Sequence, residues 1–380
     1  MTSSRGPLAG LVVVELAGIG PAPYAAMLLA ELGADVVRID RPPHAGSPLA
    51  GLVGVDRSRP SVAVDLKTDA GVEVVRRLAD AADIFLEGLR PGVTERLGLG
   101  PDDLLARNPR LVYGRMTGWG QDGPLATTAG HDITYAAIAG ALHLSGPVDQ
   151  PMPAANLVAD FGGGSLFLVM GVLAAIHART TTGAGQVVDA AMVEGAASLT
   201  SMLHGMLGVG QWVDRRRSNL IDGGAPFYDT YACSDGRHVA VGCLEPQFHA
   251  EFVRLLEVDL EGGQYDVEHW EQHRAAIAAR FVTRTRDEWA EAFEGTDACV
   301  APVLSMTEAP GHPHNIARGT FVDIDGHPMP RVAPRFSATP APDPSPARAA
   351  GADSTAYLRG AGFGDDEVAD LVARGVVHQG

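Results

Sequence analysis

Lysine is nearly absent from this sequence of 380 residues, and basic charge as a whole is scarce. Lys67 is the only lysine, and 29 basic residues face 46 acidic ones, which gives a formal net charge of -17. Nucleic acids and anionic membranes bind basic surfaces, so we expect neither a nucleic-acid partner nor a membrane partner. A local cluster of arginines can still bind a phosphate group within an acidic protein.

Cysteine and long apolar runs are also scarce. Cys233, Cys243 and Cys299 form no CxxC pattern, which argues against a disulfide framework and a zinc site and predicts a cytoplasmic protein. We interpret the three as small buried hydrophobic residues. Residues 1–10 lack the basic and apolar regions of a signal peptide. The longest apolar run, Leu166 to Ile176, is too short for a bilayer, so no membrane span is predicted.

The first part of the chain alternates short β-branched runs with helical patterns. Predicted strands are Leu11 to Leu16, Asp35 to Ile39, Ser61 to Leu66, Asp83 to Leu86 and Leu111 to Tyr113, and predicted helices are Tyr24 to Leu32 and Asp69 to Ala81. Such alternation indicates an α/β fold, a large Rossmann-like domain with a mostly parallel sheet. The glycine turn Gly18 to Pro23 lacks dinucleotide-binding spacing, so we interpret it as a tight connection.

Later patterns predict buried helices and then a second domain. The helices are His131 to Leu144, Ser165 to Ala178 and Val187 to Met206; the second domain has a hairpin of Tyr228 to Cys233 and His238 to Cys243, then helices Pro246 to Leu256 and Trp270 to Phe281 and a capping box at Thr285 and Glu288. The predicted organisation is 1–190 large domain, 191–225 linker helix and loop, 226–305 small α+β domain, and 306–380 return segment and C-terminal part of the large domain.

Three motifs between Met116 and Gly164 carry candidate chemistry. They read TGWGQDGP from Thr117 to Pro124, GHDITY from Gly130 to Tyr135, and NLVADFGGG from Asn156 to Gly164. They combine titratable groups and glycine turns with predicted helix starts, where unpaired backbone N–H groups favour negative charge. A base together with such donors suits removal of a proton from a carbon acid and stabilisation of the enolate.

Each candidate residue also has a plainer interpretation. A lone histidine such as His131 is more often structural, Asp160 would be the N-cap of the apolar helix after it, and Glu245 would cap the helix that follows it. Histidine has a reference pKa of about 6.5 and suits acid–base work near neutrality. Aspartate, at about 3.9, needs burial to raise its pKa. Phe161 and the apolar run supply that burial, and Asn156 can hydrogen-bond Asp160.

The three motifs, in this order, resemble the family III CoA-transferase superfamily, and His131 resembles its alpha-methylacyl-CoA racemase branch. The resemblance covers nearly the whole chain. It implies an acyl-CoA substrate, no cofactor beyond the CoA of that substrate, and an interlocked homodimer. It makes His131 and Asp160 the acid–base pair, with Glu245 of the small domain supporting His131 across the subunit boundary. From its position four residues before Asp160, we expect Asn156 to orient that carboxyl. Our candidate donor to the enolate oxygen is the backbone N–H of Asp132.

The resemblance also implies a set of residues that contact the substrate and its CoA group. They are Arg41, Val64, Asp65, Leu66, Lys67, Gly88, Leu89, Arg90, Arg96, Gly130, Asp132 and Tyr135. Guanidinium forks match phosphate oxygens, and backbone at glycine can approach a ligand closely. The plainer interpretation is a solvated surface, which we accept for Arg107, Arg110 and the arginines 215–217.

The predicted function is inversion of the C2 centre of 2-methyl-branched acyl-CoA thioesters through an enolate, with two bases on opposite faces. A first alternative is a family III CoA-transferase, in which Asp160 forms an anhydride and then a thioester with CoA. That reaction needs no histidine at 131. A second alternative is an acyl-CoA-binding module without catalysis, which would bind CoA tightly and be indifferent to loss of His131.

Overall fold

The computed structural model describes residues 6–42 and 54–380, so residues 1–5 of the stretch tested for a signal peptide lie outside the described residues. The strands are β1 Val12–Leu16, β2 Asp35–Asp40, β3 Ser61–Val64, β4 Ile84–Glu87, β5 Val112–Thr117, β6 Val187–Ala191, β7 Tyr228–Ala232, β8 His238–Gly242, β9 Val300–Pro302, β10 Phe321–Ile324, β11 His327–Pro330 and β12 Val377–His378.

The α-helices are α1 Pro21–Glu31, α2 Asp69–Asp80, α3 Val93–Arg96, α4 Pro101–Arg107, α5 Asp132–Ile138, α6 Leu166–Thr182, α7 Met192–Leu199, α8 Ser201–Gly208, α9 Pro246–Leu256, α10 Trp270–Phe281, α11 Arg286–Phe293, α12 Pro313–Arg318, α13 Ser354–Gly360 and α14 Asp365–Ala373. A π-helix covers Leu157–Ser165, and short 3-10 turns cover Leu142–Leu144, Val267–His269 and Ala309–Gly311.

Two compact units make up the chain. The large unit comprises Met1–Ala141, Ala154–Leu199 and Arg318–Gly380, and the small unit comprises Leu142–Pro153 and Thr200–Ala317. The predicted boundaries differ from this division, because the small unit starts at Thr200 rather than 226 and also contains an earlier segment. Boundaries predicted from changes in composition assume that each domain is one continuous segment, so they do not detect a chain that leaves a unit and returns to it.

The large unit is built on a seven-stranded sheet of order β12-β3-β2-β1-β4-β5-β6. All neighbouring pairs are parallel except β12 with β3, which is antiparallel. The mostly parallel α/β fold is therefore confirmed. The strand order reverses between β1 and β4, and ligands of such sheets bind beyond the carboxyl ends of the strands at this switch point.

Helices cover both faces of the large sheet. On one face, Val14, Val62 and Tyr113 share a buried cluster with Leu78 of α2 and Leu371 of α14. The other face carries α6, because a Cβ at Gly114 of β5 would lie 3.0 to 3.1 Å from Val172 and Leu168. Burial on both faces explains why these strands read as continuous apolar runs rather than as alternating ones.

The small unit has a three-stranded antiparallel sheet of order β7-β8-β9. Its predicted hairpin is confirmed, and so are α9, α10 and the capping box, in which Glu288 accepts from the Thr285 N–H at 2.8 Å. The buried core is rich in aromatic side chains, including Phe227, Phe281 and Trp289.

The single helix predicted from Val187 to Met206 is wrong. Residues 187–191 form β6, which pairs in parallel with Tyr113 to Thr117 of β5, and two shorter helices, α7 and α8, follow. A short apolar run fits a buried strand as well as a helix, and here pairing with a strand more than 70 residues earlier decides the outcome.

Two further helix predictions need correction. The helix expected from His131 to Leu144 stops at Ile138, near Gly140, whose φ is 80°. The helix expected from Ser165 is preceded without a break by the π-helix, and Asp160 lies inside that π-helix rather than at an N-cap. The N-cap interpretation of Asp160 is therefore wrong.

Within the described residues, one helical run is long and apolar enough to cross a membrane by length and composition. This run, Leu157–Thr182, joins the π-helix to α6 and has 26 residues. It is longer than the apolar stretch seen in the sequence, so length does not exclude a span. A core helix passes the same test, and α6 does pack on the sheet at Gly114. The absence of a membrane span stays a prediction.

Candidate active site

Several of the predicted CoA contacts lie just beyond the carboxyl ends of the parallel strands of the large unit. Arg41 follows β2, Asp65 to Lys67 follow β3, and Gly88 to Arg90 follow β4. Gly88 lies close to the start of α1, since a Cβ on it would be 2.8 Å from the Cβ of Ala22. These residues therefore share one edge of the sheet, and Gly88 marks its switch point.

Asp160 is held against the start of α1. At Gly20, which precedes α1 with a φ of 76°, a Cβ would lie 3.6 Å from Oδ2 of Asp160. The Ser165 hydroxyl donates to the Pro21 carbonyl at 2.7 Å, and the rings of Tyr24 and Phe161 are 4.6 Å apart. The glycine turn from Gly18 to Pro23 is thus one wall around the Asp160 carboxyl.

Glycines let α7 approach the π-helix. A Cβ on Gly195 of α7 would lie 1.7 Å from the carbonyl oxygen of Gly163, and a Cβ on Gly163 would lie 2.5 Å from the Ala196 nitrogen. Such backbone contact excludes any larger side chain at either position. The glycine run after Asp160 therefore serves close packing. A π-helix is rare and is often found at functional sites.

Burial raises the pKa of Asp160 to about 6, and the negative charge of Asp132 adds to the rise. A hydrogen bond from the Asn156 side chain and the charge of His131 act in the opposite direction. Asn156 therefore lies close enough to act on the Asp160 carboxyl, and its role in orienting Asp160 stays a prediction. His131 is close enough to influence the same carboxyl, so the structure brings three of the predicted catalytic residues together.

His131 stands at the exposed start of α5. Its backbone N–H donates to the Thr134 hydroxyl at 3.0 Å, and that hydroxyl donates to the His131 carbonyl at 2.7 Å. Asp132 is the first residue of the helix, and its N–H has no acceptor in the described part of the chain. It remains our candidate donor to the enolate oxygen, because N–H groups in the first turn lack intrahelical partners.

The side chain of Asp132 has a role that the sequence did not suggest. It is 8% exposed, and its Oδ1 accepts from the backbone N–H groups of Ala159 and Asp160, each at 2.8 Å. Asp132 was predicted as a residue that contacts the substrate. The structure instead directs its carboxylate into the start of the π-helix. No local pattern reveals a contact between residues 27 and 28 positions apart.

Tyr135 is buried beside two glycines of the motifs. A Cβ on Gly118 or Gly130 would lie 2.1 or 2.4 Å from the Tyr135 ring, and the Trp119 ring meets it edge-on at 4.7 Å. Burial raises the pKa of Tyr135; the charge of Asp160 raises it further, and the charge of Arg90 lowers it. Tyr135 therefore lies near both the Asp160 carboxyl and Arg90, a predicted phosphate-binding residue.

Arg115 of β5 forms ion pairs that hold the segment carrying Arg90 and Arg96. Arg115 contacts Glu87 and Glu95, each at 2.9 Å, and Glu87 accepts from the Leu89 N–H at 2.7 Å. Arg115 and Glu87 are almost fully buried. No sequence motif predicted this network, because its members lie on three separate elements, β4, β5 and α3.

The remaining predicted CoA contacts are Arg41 and residues 64–67. Arg41 and Lys67 are exposed, and Oδ1 of Asp65 accepts from the Lys67 N–H at 3.0 Å. Val64 is buried at the end of β3, and Leu66 packs against the core of the large unit. Contact of these residues with CoA stays a prediction.

Glu245 belongs to the small unit. It is the exposed residue before α9, where its side chain makes no capping hydrogen bond with the helix. A capping role is therefore wrong, and its support of His131 stays a prediction. Across the described residues, no group of three histidine, cysteine or carboxylate side chains could hold a metal ion.

The chain matches known proteins over nearly its full length. The model of CoA-transferase family III matches residues 8–354. Alpha-methylacyl-CoA racemase of Mus musculus is 43% identical over 369 residues, covering 96% of each chain, and that of Homo sapiens is 44% identical over 338 residues, covering 88% of this chain and 87% of the human one. The crystal structure of a CAIB/BAIF family protein from Brucella suis matches with a TM-score of 0.81 at 26% identity, covering 94% of this chain and 100% of the other. The chain belongs to CoA-transferase family III.

Proposed function

We propose that the protein is an alpha-methylacyl-CoA racemase, which inverts the C2 centre of 2-methyl-branched acyl-CoA thioesters. The observation that carries this proposal is the pair of His131 and a half-buried Asp160 whose pKa is raised to about 6. A carboxyl of that pKa exchanges a proton near neutrality, as an acid–base group must. The relatives named as racemases, at 43 and 44% identity, support the same activity.

In the proposed reaction, one group removes the C2 proton and the other returns a proton to the opposite face. His131 serves one face and Asp160 the other, so the two roles exchange with the direction of reaction. The Asp132 N–H donates to the enolate oxygen, and Asn156 holds the Asp160 carboxyl. The groups are ordinary acids and bases, so positioning and a preorganised oxyanion site must supply most of the lowering of the barrier.

We further propose that substrate binding relies on arginines at the carboxyl edge of the large sheet. Arg41, Arg90 and Arg96 bind the phosphates of the CoA group, because planar guanidinium groups match phosphate oxygens. In the homodimer proposed below, Glu245 of one subunit stabilises the imidazolium of His131 in the other subunit. The reaction uses no metal and no cofactor beyond the CoA of the substrate. The protein acts in the cytoplasm.

We also propose that the protein is a homodimer. Leu166 and Met170, one helical turn apart on α6, are 52% and 60% exposed, and Leu199 of α7 is 53% exposed. Exposed apolar patches mark sites of association. Sedimentation should give a dimer, and Met170→Glu should shift it toward monomer. Flotation of the wild-type protein with lipid vesicles, without a dimer, would instead assign the apolar face to a membrane.

The experiment that tests the function uses one enantiomer of a 2-methylacyl-CoA in D2O with no acceptor acid. Deuterium at C2 and optical purity are followed together, and we expect exchange with loss of optical purity. Asp160→Asn together with His131→Gln should abolish both. The matched controls are Asp102→Asn and His314→Gln, which change exposed residues outside the site and should retain the wild-type rate.

A different result would favour the transferase. If the wild-type protein shows no exchange but moves CoA to an added carboxylate, and Asp160→Asn alone stops that transfer, then Asp160 is a nucleophile. Binding of acyl-CoA with neither reaction would leave only the binding module. Circular dichroism of every variant confirms that the loss is not a loss of fold.

A further inference from the structure

The carboxylate of Asp132 connects the two segments that carry His131 and Asp160. It follows His131 directly, and its Oδ1 accepts from the Ala159 and Asp160 N–H groups at 2.8 Å each. A π-helix hydrogen bond reaches five residues back, so the first N–H groups of such a helix have no partner inside it. Asp132 supplies that partner from α5, 28 residues away from Asp160.

Several groups act on the Asp160 carboxyl. From the start of α5 come His131, Asp132 and, one turn later, Tyr135; Asn156 reaches it from just before the π-helix. The helix α1 presents Gly20 and the phenol of Tyr24, which packs on Phe161, and the titratable residue of α7, Glu194, is exposed. Asp132 is the one group here that combines a negative charge with two hydrogen bonds to the same segment.

We propose that Asp132 is a positioning residue for Asp160: its two hydrogen bonds to the start of the π-helix fix the Asp160 backbone, and its negative charge acts on the Asp160 carboxyl. The proposal rests on the proposed acid–base role of Asp160. Asp132 would therefore have two effects, one on the position of the Asp160 backbone and one on the acidity of the Asp160 carboxyl. Two substitutions of Asp132 distinguish these effects.

Asp132→Asn removes the charge and keeps the placement. Both N–H groups bond to the same oxygen, so the amide oxygen of asparagine can accept both. Asp132→Ala removes the charge and both hydrogen bonds. A purely structural residue would therefore tolerate asparagine without any change in the chemistry of Asp160, whereas a residue that sets acidity would not.

The test is a carboxyl 13C NMR titration of the full-length protein labelled at aspartate, with the Asp160 resonance identified by its loss in Asp160→Asn. We expect Asp132→Asn to move the Asp160 titration midpoint to lower pH by roughly one unit. With the enantiomer whose C2 proton faces Asp160, so that Asp160 is the base, the acid limb of kcat/KM should move in the same direction. Asp132→Ala should show the same change of midpoint, with faster hydrogen exchange at the amides of residues 159 and 160.

An unchanged Asp160 midpoint in Asp132→Asn, or a midpoint at higher pH, would overturn the proposal. So would an unfolded Asp132→Asn variant, because one acceptor oxygen is claimed to suffice at this position. The titration needs no turnover, so it stands apart from the proposed function. If the wild-type protein does not racemise while the midpoint falls, the function fails and the effect of Asp132 on Asp160 stands.

Discussion

His131 and Asp160 are held by the chain in different ways. His131 stands at the exposed start of a helix of seven residues, and the hydrogen bonds around it involve its backbone and Thr134. Asp160 lies within a continuous run of 26 residues, packed against α1 and α7 and bonded to Asp132 and Asn156. The surroundings of Asp160 are thus fixed within the large unit, whereas His131 is exposed.

This difference matters for a reaction that needs two acid–base groups. The fold itself raises the pKa of Asp160, because burial is the largest cause. An imidazole can act as acid or base near neutrality without burial. The fold therefore buries the aspartate, which needs burial for this work, and leaves His131 exposed.

The largest expected effect comes from removing one group at a time. Asp160→Asn and His131→Gln should each lower racemisation by about 10²- to 10⁴-fold, the usual contribution of a positioned acid or base. The remaining group should still exchange the C2 proton that faces it, so each variant should deuterate a different enantiomer. Exchange is measured by mass spectrometry with each pure enantiomer in D2O.

The same enantiomer preference in both variants would contradict the assignment of one group to each face. If either variant exchanges both enantiomers at the wild-type rate, the residue that it lacks is not a base in this reaction. Asp102→Asn should exchange both enantiomers at the wild-type rate.

A second prediction tests the packing behind Asp160. Gly195→Ala should destabilise the protein by about 3 kcal/mol, because the new Cβ would lie 1.7 Å from a backbone oxygen that cannot move aside without distorting the π-helix. Chemical denaturation gives the free energy of unfolding. Gly205→Ala is the control, since the added Cβ meets nothing within 4 Å inside a helix, and alanine should be neutral or slightly stabilising there.

A third prediction concerns stability and pH. The Asp160 pKa is raised from 3.8 to about 6, so the folded state holds this proton more tightly than the unfolded state. Its contribution to stability therefore falls as pH rises from about 4 to 6 and stays lower above that window. Asp160→Asn should consequently be more stable than wild type at pH 7.5, on the order of 1 kcal/mol after allowing for partial solvent screening.

Thermal unfolding from pH 4 to 8 measures this difference. Asp80→Asn should behave in the opposite way, because a hydrogen bond from Arg107 holds the Asp80 pKa below its usual range. That variant should be less stable than wild type at neutral pH, with a difference that shrinks as pH falls. An Asp160→Asn curve parallel to wild type would mean that the Asp160 pKa is not raised.

The sequence predicted the parts of the fold that depend on neighbouring residues. The capping box at Thr285 and Glu288 and the β7–β8 hairpin are completed within a few positions, and both are confirmed. Residues 187–191 were misassigned because pairing with distant β5 makes them a strand. The π-helix was missed for the same reason: its glycines are matched to α7, which is remote in sequence.

The candidate site likewise combines local features, which the sequence predicted, with contacts between distant residues, which it did not predict. The motif from Asn156 to Gly164 predicted the burial of Asp160 and its contact with Asn156, because both lie within one local segment. The carboxylate of Asp132 and the network around Arg115 bring together residues 20 or more positions apart, so no spacing rule reveals them. Sequence motifs predicted the candidate acid–base residues, whereas the tertiary structure identified Asp132 as a group that acts on Asp160.

The smallest expected effect comes from Asn156. Its hydrogen bond favours the ionised form of Asp160 and so lowers the Asp160 pKa. Asn156→Ala should let that pKa rise. Where Asp160 is the base, the acid limb of kcat/KM should then move to higher pH, and kcat/KM at pH 8 should fall by less than about tenfold. This shift is opposite to the one expected for Asp132→Asn. A limb that moved to lower pH would mean that Asn156 stabilises the protonated carboxyl, which would reverse its role in the reaction.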